Sequence, residues 1–220
     1  MRRHQSGFTL IEIAIVLVII GLLLGGILKG QELITSARVR NLVSQIDGTK
    51  AAFFGFQDRY RALPGDFGQA VAQIPNATTN GDGDGQITGN ESIALWDHLS
   101  HAGFINGTYV FAAVEGDATT PRNPYGAFMQ VIFDNVYAGT PATPATARHN
   151  MKTGPQIPVD ILAEIDRKID DGNATTGTMR FSAYATAPGV APTAATCVIP
   201  ATGLWAAGNG QTNCGAAILF

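Results

Sequence analysis

FTLIEIAIVLVIIGLLLGGIL, running from Phe8 to Leu28, decides how the rest of the chain is read. Within it only Thr9 and Glu12 are clearly polar. As a helix the run would rise roughly 31 Å, close to the thickness of a bilayer's hydrocarbon core. A secretory signal peptide is the rival reading. Its apolar part is normally about 7–15 residues long, and a carboxylate near its start suits it badly. Arg2 and Arg3 precede the run while Lys29, Arg38 and Arg40 follow it. The flanking charges therefore leave the orientation open.

The helical pattern continues beyond the apolar run. Val39, Leu42, Val43, Ile46, Phe53 and Tyr60 recur at helical steps on an otherwise polar segment. Gly48 and Gly55 weaken it locally, and the first proline is Pro64, where Leu63-Pro64-Gly65-Asp66 reads as a stop. Residues 8 to about 60 are expected to form one helix on the order of 80 Å long. The division that follows is a short leader at 1–7, a membrane-spanning segment at 8–30, an amphipathic continuation at 31–62 and a globular head at 63–220.

The head reads as α+β, with the long helix packed on an antiparallel sheet. Residues 66–90 are rich in Gly, Asp, Asn and Thr, hence loop. Ser92–His101 and Ile157–Asp171 carry apolar residues at helical spacing and end at Gly103 and Gly172. Thr108–Val114, Ala127–Tyr137 and Thr178–Ala187 alternate or run apolar and are expected as strands. Ala138–Ala147, with its Pro-Ala-Thr repeat, reads as an extended loop. Strands segregated from helices favour antiparallel pairing over βαβ units.

Composition removes several functions. Lys and Arg total 14 against 17 Asp and Glu, a formal net charge of −3. Nucleic acid is not expected as a partner, because its binding needs a positive field. Two cysteines exclude a disulfide-dense scaffold and a four-cysteine zinc site. Nucleophile elbow, phosphate loop and dinucleotide fingerprint are all missing from the sequence, so no catalytic residues are assigned and an enzyme is not expected.

Gly7-Phe8-Thr9-Leu10-Ile11-Glu12-Ile13, behind the short basic leader, closely resembles the cleavage and methylation segment of type IV prepilins and pseudopilins. The resemblance implies cutting after Gly7 by prepilin peptidase on the cytoplasmic side. It implies N-methylation of Phe8, a leader in the cytoplasm and a head in the periplasm or outside the cell. It also implies partners: other pilin subunits in a homo- or hetero-polymer, and an inner-membrane assembly platform with its ATPase. Glu12 fits that picture physically. A carboxylate in lipid costs at least about 2–3 kcal/mol unless paired. The amine that cleavage creates on Phe8 of a neighbouring subunit is a suitable partner in a dry filament core. Many pilins carry a proline in the later membrane helix; here Gly25, Gly26 and Gly30 either take over its melting role or serve close helix packing. The implied assembly is a pilus, a type II secretion pseudopilus or a DNA-uptake fibre.

A second motif lies in the head. Asn80-Gly81-Asp82-Gly83-Asp84-Gly85-Gln86-Ile87-Thr88-Gly89-Asn90-Glu91 matches the twelve-position EF-hand calcium loop. Asn80, Asp82 and Asp84 supply oxygen at positions one, three and five. Gly85 makes the turn, Gln86 offers its carbonyl, Thr88 a hydroxyl or water, and Glu91 a bidentate carboxylate. Ile87, at position eight, is expected to point inward. An all-oxygen, flexible shell suits Ca2+. The other reading is a solvated Asp-Gly turn.

Cys197 and Cys214 are expected to form a disulfide in an exported head, a closure also seen in many pilins, with two buried thiols as the alternative. Asp166, Asp170 and Asp171 read as the polar end of a helix rather than a second metal site. His98 and His101 read as surface histidines, since zinc would need a third ligand. A filament subunit is thus the leading expectation. A membrane-tethered calcium-dependent binding module that never polymerises is the alternative.

Overall fold

The computed structural model describes residues 10–139, 144–186 and 189–220. In chain order the elements are α1 (Leu10–Tyr60), α2 (Ala70–Gln73), α3 (Glu91–His101), β1 (Gln130–Asp134), β2 (Arg148–Lys152), α4 (Val159–Ile169), β3 (Met179–Phe181), α5 (Ala194–Cys197) and β4 (Ala216–Leu219). The architecture is α+β, and the long N-terminal helix is present. The leader, Gly7 and Phe8 lie outside the described residues, as do residues 140–143 of the Pro-Ala-Thr stretch.

The chain divides into two compact units, Met1–Arg40 and Asn41–Phe220. In the first, α1 has the length and mean hydropathy of a membrane-crossing helix, and its apolar side chains from Leu10 to Leu28 are exposed. Lys29 and Glu32 pair at 2.7 Å just past that stretch.

The second unit begins with the last turns of α1. Leu42, Ile46, Phe53 and Phe56 fall at helical spacing and are all buried. Phe56 stacks on His98 at 6.2 Å between ring centres and meets Phe67 and Phe104 edge-on. Phe53 sits 4.8 Å from the ring of Phe220. This aromatic row seats α1 on α3 and on the end of the sheet.

The four strands are ordered β1-β2-β4-β3, and every pairing is antiparallel. β1 and β2 form a hairpin in which Gln130 faces Lys152 and Asp134 faces Arg148. β4, the last strand in the chain, lies between β2 and β3.

Three expectations about strands need correction. Thr108–Val114 is irregular and mostly exposed, because no neighbouring strand takes its amides; Val110 N–H goes to Ala118 O instead. Within Thr178–Ala187 the strand is confined to Met179–Phe181. β2, Arg-His-Asn-Met-Lys, is polar yet ends fully buried. Its Lys152 Nζ donates to Asp134 Oδ1 at 2.8 Å and Val136 O at 2.8 Å, so the charge enters the sheet already paired. The two main head helices fall within about two residues of their expected limits.

Candidate functional site

The acidic loop is built around a carboxylate from outside it. Asp66, in the turn that ends α1, is 4% exposed. Its Oδ1 accepts the Gly83 and Asp84 amides at 2.7 and 3.0 Å, and its Oδ2 accepts the Gly85 amide at 3.0 Å. Gly83 N–H also reaches Asp66 O at 3.0 Å. The loop can wrap this closely because position 81 is glycine: a Cβ there would stand 2.2 Å from the Asp66 carbonyl carbon. Gly85 turns the chain with φ +85, a conformation that suits glycine.

Asp66, Asp82 and Asp84 converge so that one oxygen from each lies within 4.8 Å of the others. Asp82 Oδ1 also accepts Asp84 N–H at 3.0 Å, and Asp84 Oδ1 accepts Gln86 N–H at 2.7 Å. Glu91 closes the loop: Oε1 accepts Asp82 N–H at 3.0 Å and Oε2 accepts Thr88 N–H at 2.9 Å. Asn80 is turned elsewhere, its Oδ1 accepting Val71 N–H at 2.9 Å. The place that spacing assigns to Asn80 is thus taken spatially by Asp66. No spacing rule pointed to a carboxylate seventeen residues before Gly83. The only local cue was a short acidic residue directly after a Pro-Gly stop.

Ile87 is fully buried, its N–H donating to His149 Nε2 at 3.2 Å and its carbonyl accepting Phe133 N–H at 2.7 Å. The loop is therefore fastened to β1 and β2. Burial pushes the Asp66 and Glu91 carboxyls above their ordinary values; the amides they accept and the neighbouring carboxylates adjust this in opposite senses. Crowded carboxylates with only oxygen donors fit a hard divalent cation, Ca2+ before a transition metal.

His98 and His101 are not surface residues. His98 is fully buried: Nδ1 accepts Gly65 N–H at 2.9 Å, leaving Nε2 to donate to Thr79 O at 2.9 Å. It clamps the turn carrying Asp66 to the start of the acidic loop. His101 Nδ1 lies 2.7 Å from Asp97 Oδ1.

Asp166, Asp170 and Asp171 also converge within 4.8 Å. Each has a local task. Asp166 accepts Trp205 Nε1–H at 2.6 Å, Asp170 accepts Thr178 and Met179 amides, and Asp171 accepts Asn173 N–H and the Thr176 hydroxyl. They hold the turn leading into β3. Burial pushes the Asp166 carboxyl up to about 6. Cys197 and Cys214 are joined by a disulfide and fully buried.

A family model described as the prokaryotic N-terminal methylation motif matches residues 2–28. No characterised protein and no solved structure matches the chain. The match covers the leader, Gly7, Phe8 and Glu12, and it coincides with the apolar start of α1. Motif and helix together support a processed, single-pass, membrane-anchored protein of the type IV pilin kind.

Proposed function

We propose that the chain is the precursor of a structural filament subunit, a type IV pilin or pseudopilin. The observation that carries this reading is the methylation motif at residues 2–28 lying on a membrane-length apolar helix. Prepilin peptidase cuts after Gly7, and the exposed amine of Phe8 is methylated. The apolar half of α1 then packs against the same helix of other subunits, where Glu12 pairs with a neighbour's Phe8 amine. The assembly platform of the inner membrane draws subunits from the bilayer. The head lies on the periplasmic side, a compartment compatible with the Cys197–Cys214 disulfide. Such a subunit is structural and needs no catalytic residues.

Calcium binding at the acidic loop belongs to the same proposal. Asp66, Asp82 and Asp84 would supply the first ligands, with Asn80 remaining on Val71. Glu91 would turn from its two amides to the ion, and Gln86 and Thr88 would complete the shell from the loop backbone or side chains. The ion would offset repulsion among the carboxylates and secure the start of α3.

Intact-mass measurement of protein extracted from membranes tests the central claim. The mature chain should lack residues 1–7 and carry one added methyl group, and its formal charge should move from −3 to −5 with the loss of Arg2 and Arg3. A mature terminus near residue 30 would sink the proposal in favour of an ordinary signal peptide.

A further inference from the structure

Between the last part of α1, α3 and the segment after α3 lies a cavity of about 500 Å³. That is within the usual range for small-molecule sites. Its wall includes Gln45, Gly48 and Thr49 of α1 and Trp96 of α3, with Asn106 and Tyr109 opposite. No charged side chain lines it.

Two of these residues carry a buried polar atom without a hydrogen-bond partner among the described residues: Trp96 Nε1 and Gln45 Oε1. Trp96 is 1% exposed. The orientation of the Gln45 amide follows from its other contact, because Nε2 donates to Arg122 O at 3.1 Å. Oε1 is therefore the group left over. One atom can only donate and the other can only accept. Buried polar groups are nearly always satisfied, so an unmet pair of opposite kind on one cavity calls for a shared answer.

Gly48 adds an independent observation. Glycine inside a helix is unfavourable relative to alanine. At Gly55 packing explains it, since a Cβ would stand 2.9 Å from Phe104 Cε1. At Gly48 a Cβ would meet nothing within 4 Å. No neighbour demands the missing side chain there; what its absence preserves is the open wall of the cavity.

We infer that this cavity binds a neutral saccharide. A sugar hydroxyl both donates and accepts, answering Gln45 and Trp96 together. Thr49, Asn106 and Tyr109 offer further hydroxyl and amide partners. The apolar faces of a sugar ring suit Phe104 and Met129, which also line the space. An uncharged wall disfavours phosphates, carboxylates and amines. The site lies in the head and does not depend on filament assembly or on calcium.

The test is saturation-transfer NMR on the full chain, held in a detergent without a sugar headgroup. The probes are glucose, galactose, N-acetylglucosamine and cellobiose at concentrations on the order of 10 mM. At least one should receive saturation. Gly48→Leu, which fills the opening, should weaken that binding about tenfold or more while the helix signal and melting temperature hold. Trp96→Phe keeps the ring and removes the N–H; it should weaken binding several-fold, which a cavity filled only by water would not register. Should Gly48→Leu misfold, Trp96→Phe alone decides. Silence from all four sugars, or transfer unchanged in both variants, overturns the inference and leaves water as the partner of the two atoms.

Discussion

Asp66 Oδ2 accepts the amide of Gly85 at 3.0 Å, joining the end of the long helix to the middle of the acidic loop. Together with the Gly83 and Asp84 amides on Oδ1, this contact makes one carboxylate the hub on which the loop turns. The hub is paired on one side by backbone and crowded on the other by Asp82 and Asp84. Its dual position ties loop geometry to whatever charge the site holds.

Asp66→Ala removes three acceptors from amides and should destabilise the folded head by about 2 kcal/mol even in chelator. Urea denaturation of the full chain in detergent, with and without the substitution, measures this. An unchanged midpoint would mean that the loop amides find equivalent partners elsewhere.

Calcium should raise the melting temperature of the full chain. Linkage gives about 2.7 kcal/mol at a hundredfold excess over Kd. Magnesium should do less, because it demands a tighter octahedral shell. Asp82→Ala and Asp66→Asn should each remove most of the difference, while Asn80→Ala should retain it. Equal melting in calcium and chelator, with no calorimetric heat at millimolar calcium, would reduce the site to a hydrogen-bonded turn.

Glu12→Gln should leave cleavage and membrane insertion largely intact and lower incorporation into filaments. Sheared filaments assayed against total membrane protein report the ratio. Wild-type incorporation would remove the proposed pairing with a neighbour's amine and favour a tether that does not polymerise.

Stability should depend on pH through His98. Burial holds its imidazole below the ordinary value, so the unfolded chain takes up a proton first as pH falls. The contribution is complete above about 6.5 and is lost below it, as pH drops toward the folded value. Asp66, Glu91 and Asp166 are shifted upward and act in the opposite sense, Asp166 around 6. The useful quantity is therefore the difference between wild type and His98→Asn, which keeps an acceptor near Gly65. That gap in urea midpoint should be largest above neutrality and narrow toward pH 5.5. A gap independent of pH would mean His98 is not the titrating group.

Removing the disulfide by Cys197→Ala with Cys214→Ala should lower stability by about 3 kcal/mol. Cys214 also exchanges two backbone hydrogen bonds with Ile157, at 2.9 and 3.1 Å, just ahead of α4. The loss should appear in the equilibrium midpoint while the far-ultraviolet helix signal is kept.

What could be read from the residues depended on whether the cause was local. Leu42, Ile46 and Phe53 revealed the packed face of α1 because periodicity records a face directly. Residues 80–91 announced a cation loop through spacing alone. Asp66 did not, because its role arises only when the turn after α1 folds back on Gly83–Gly85. β2 stayed hidden because Lys152 and Asn150 look like surface residues until Asp134 is placed beside them. His98 misled for a related reason: a neutral imidazole with both nitrogens engaged is tolerated in a core. Thr108–Val114 carried a strand's alternation without a neighbouring strand to use it.

The position of β4 has a consequence for how the head comes into being. Residues 216–219 are among the last to be synthesised, yet they form the strand that bridges β2 and β3. Phe220, the final residue of this sequence, donates its amide to His149 O at 3.1 Å and lays its ring on Phe53. Until that end has been delivered across the bilayer, β3 has no sheet to join and the β1–β2 hairpin stands alone. Translation and export must therefore finish before the sheet can close. A message truncated by even a few codons would yield an anchored helix whose head cannot mature, so incomplete chains are sorted from complete ones by folding itself.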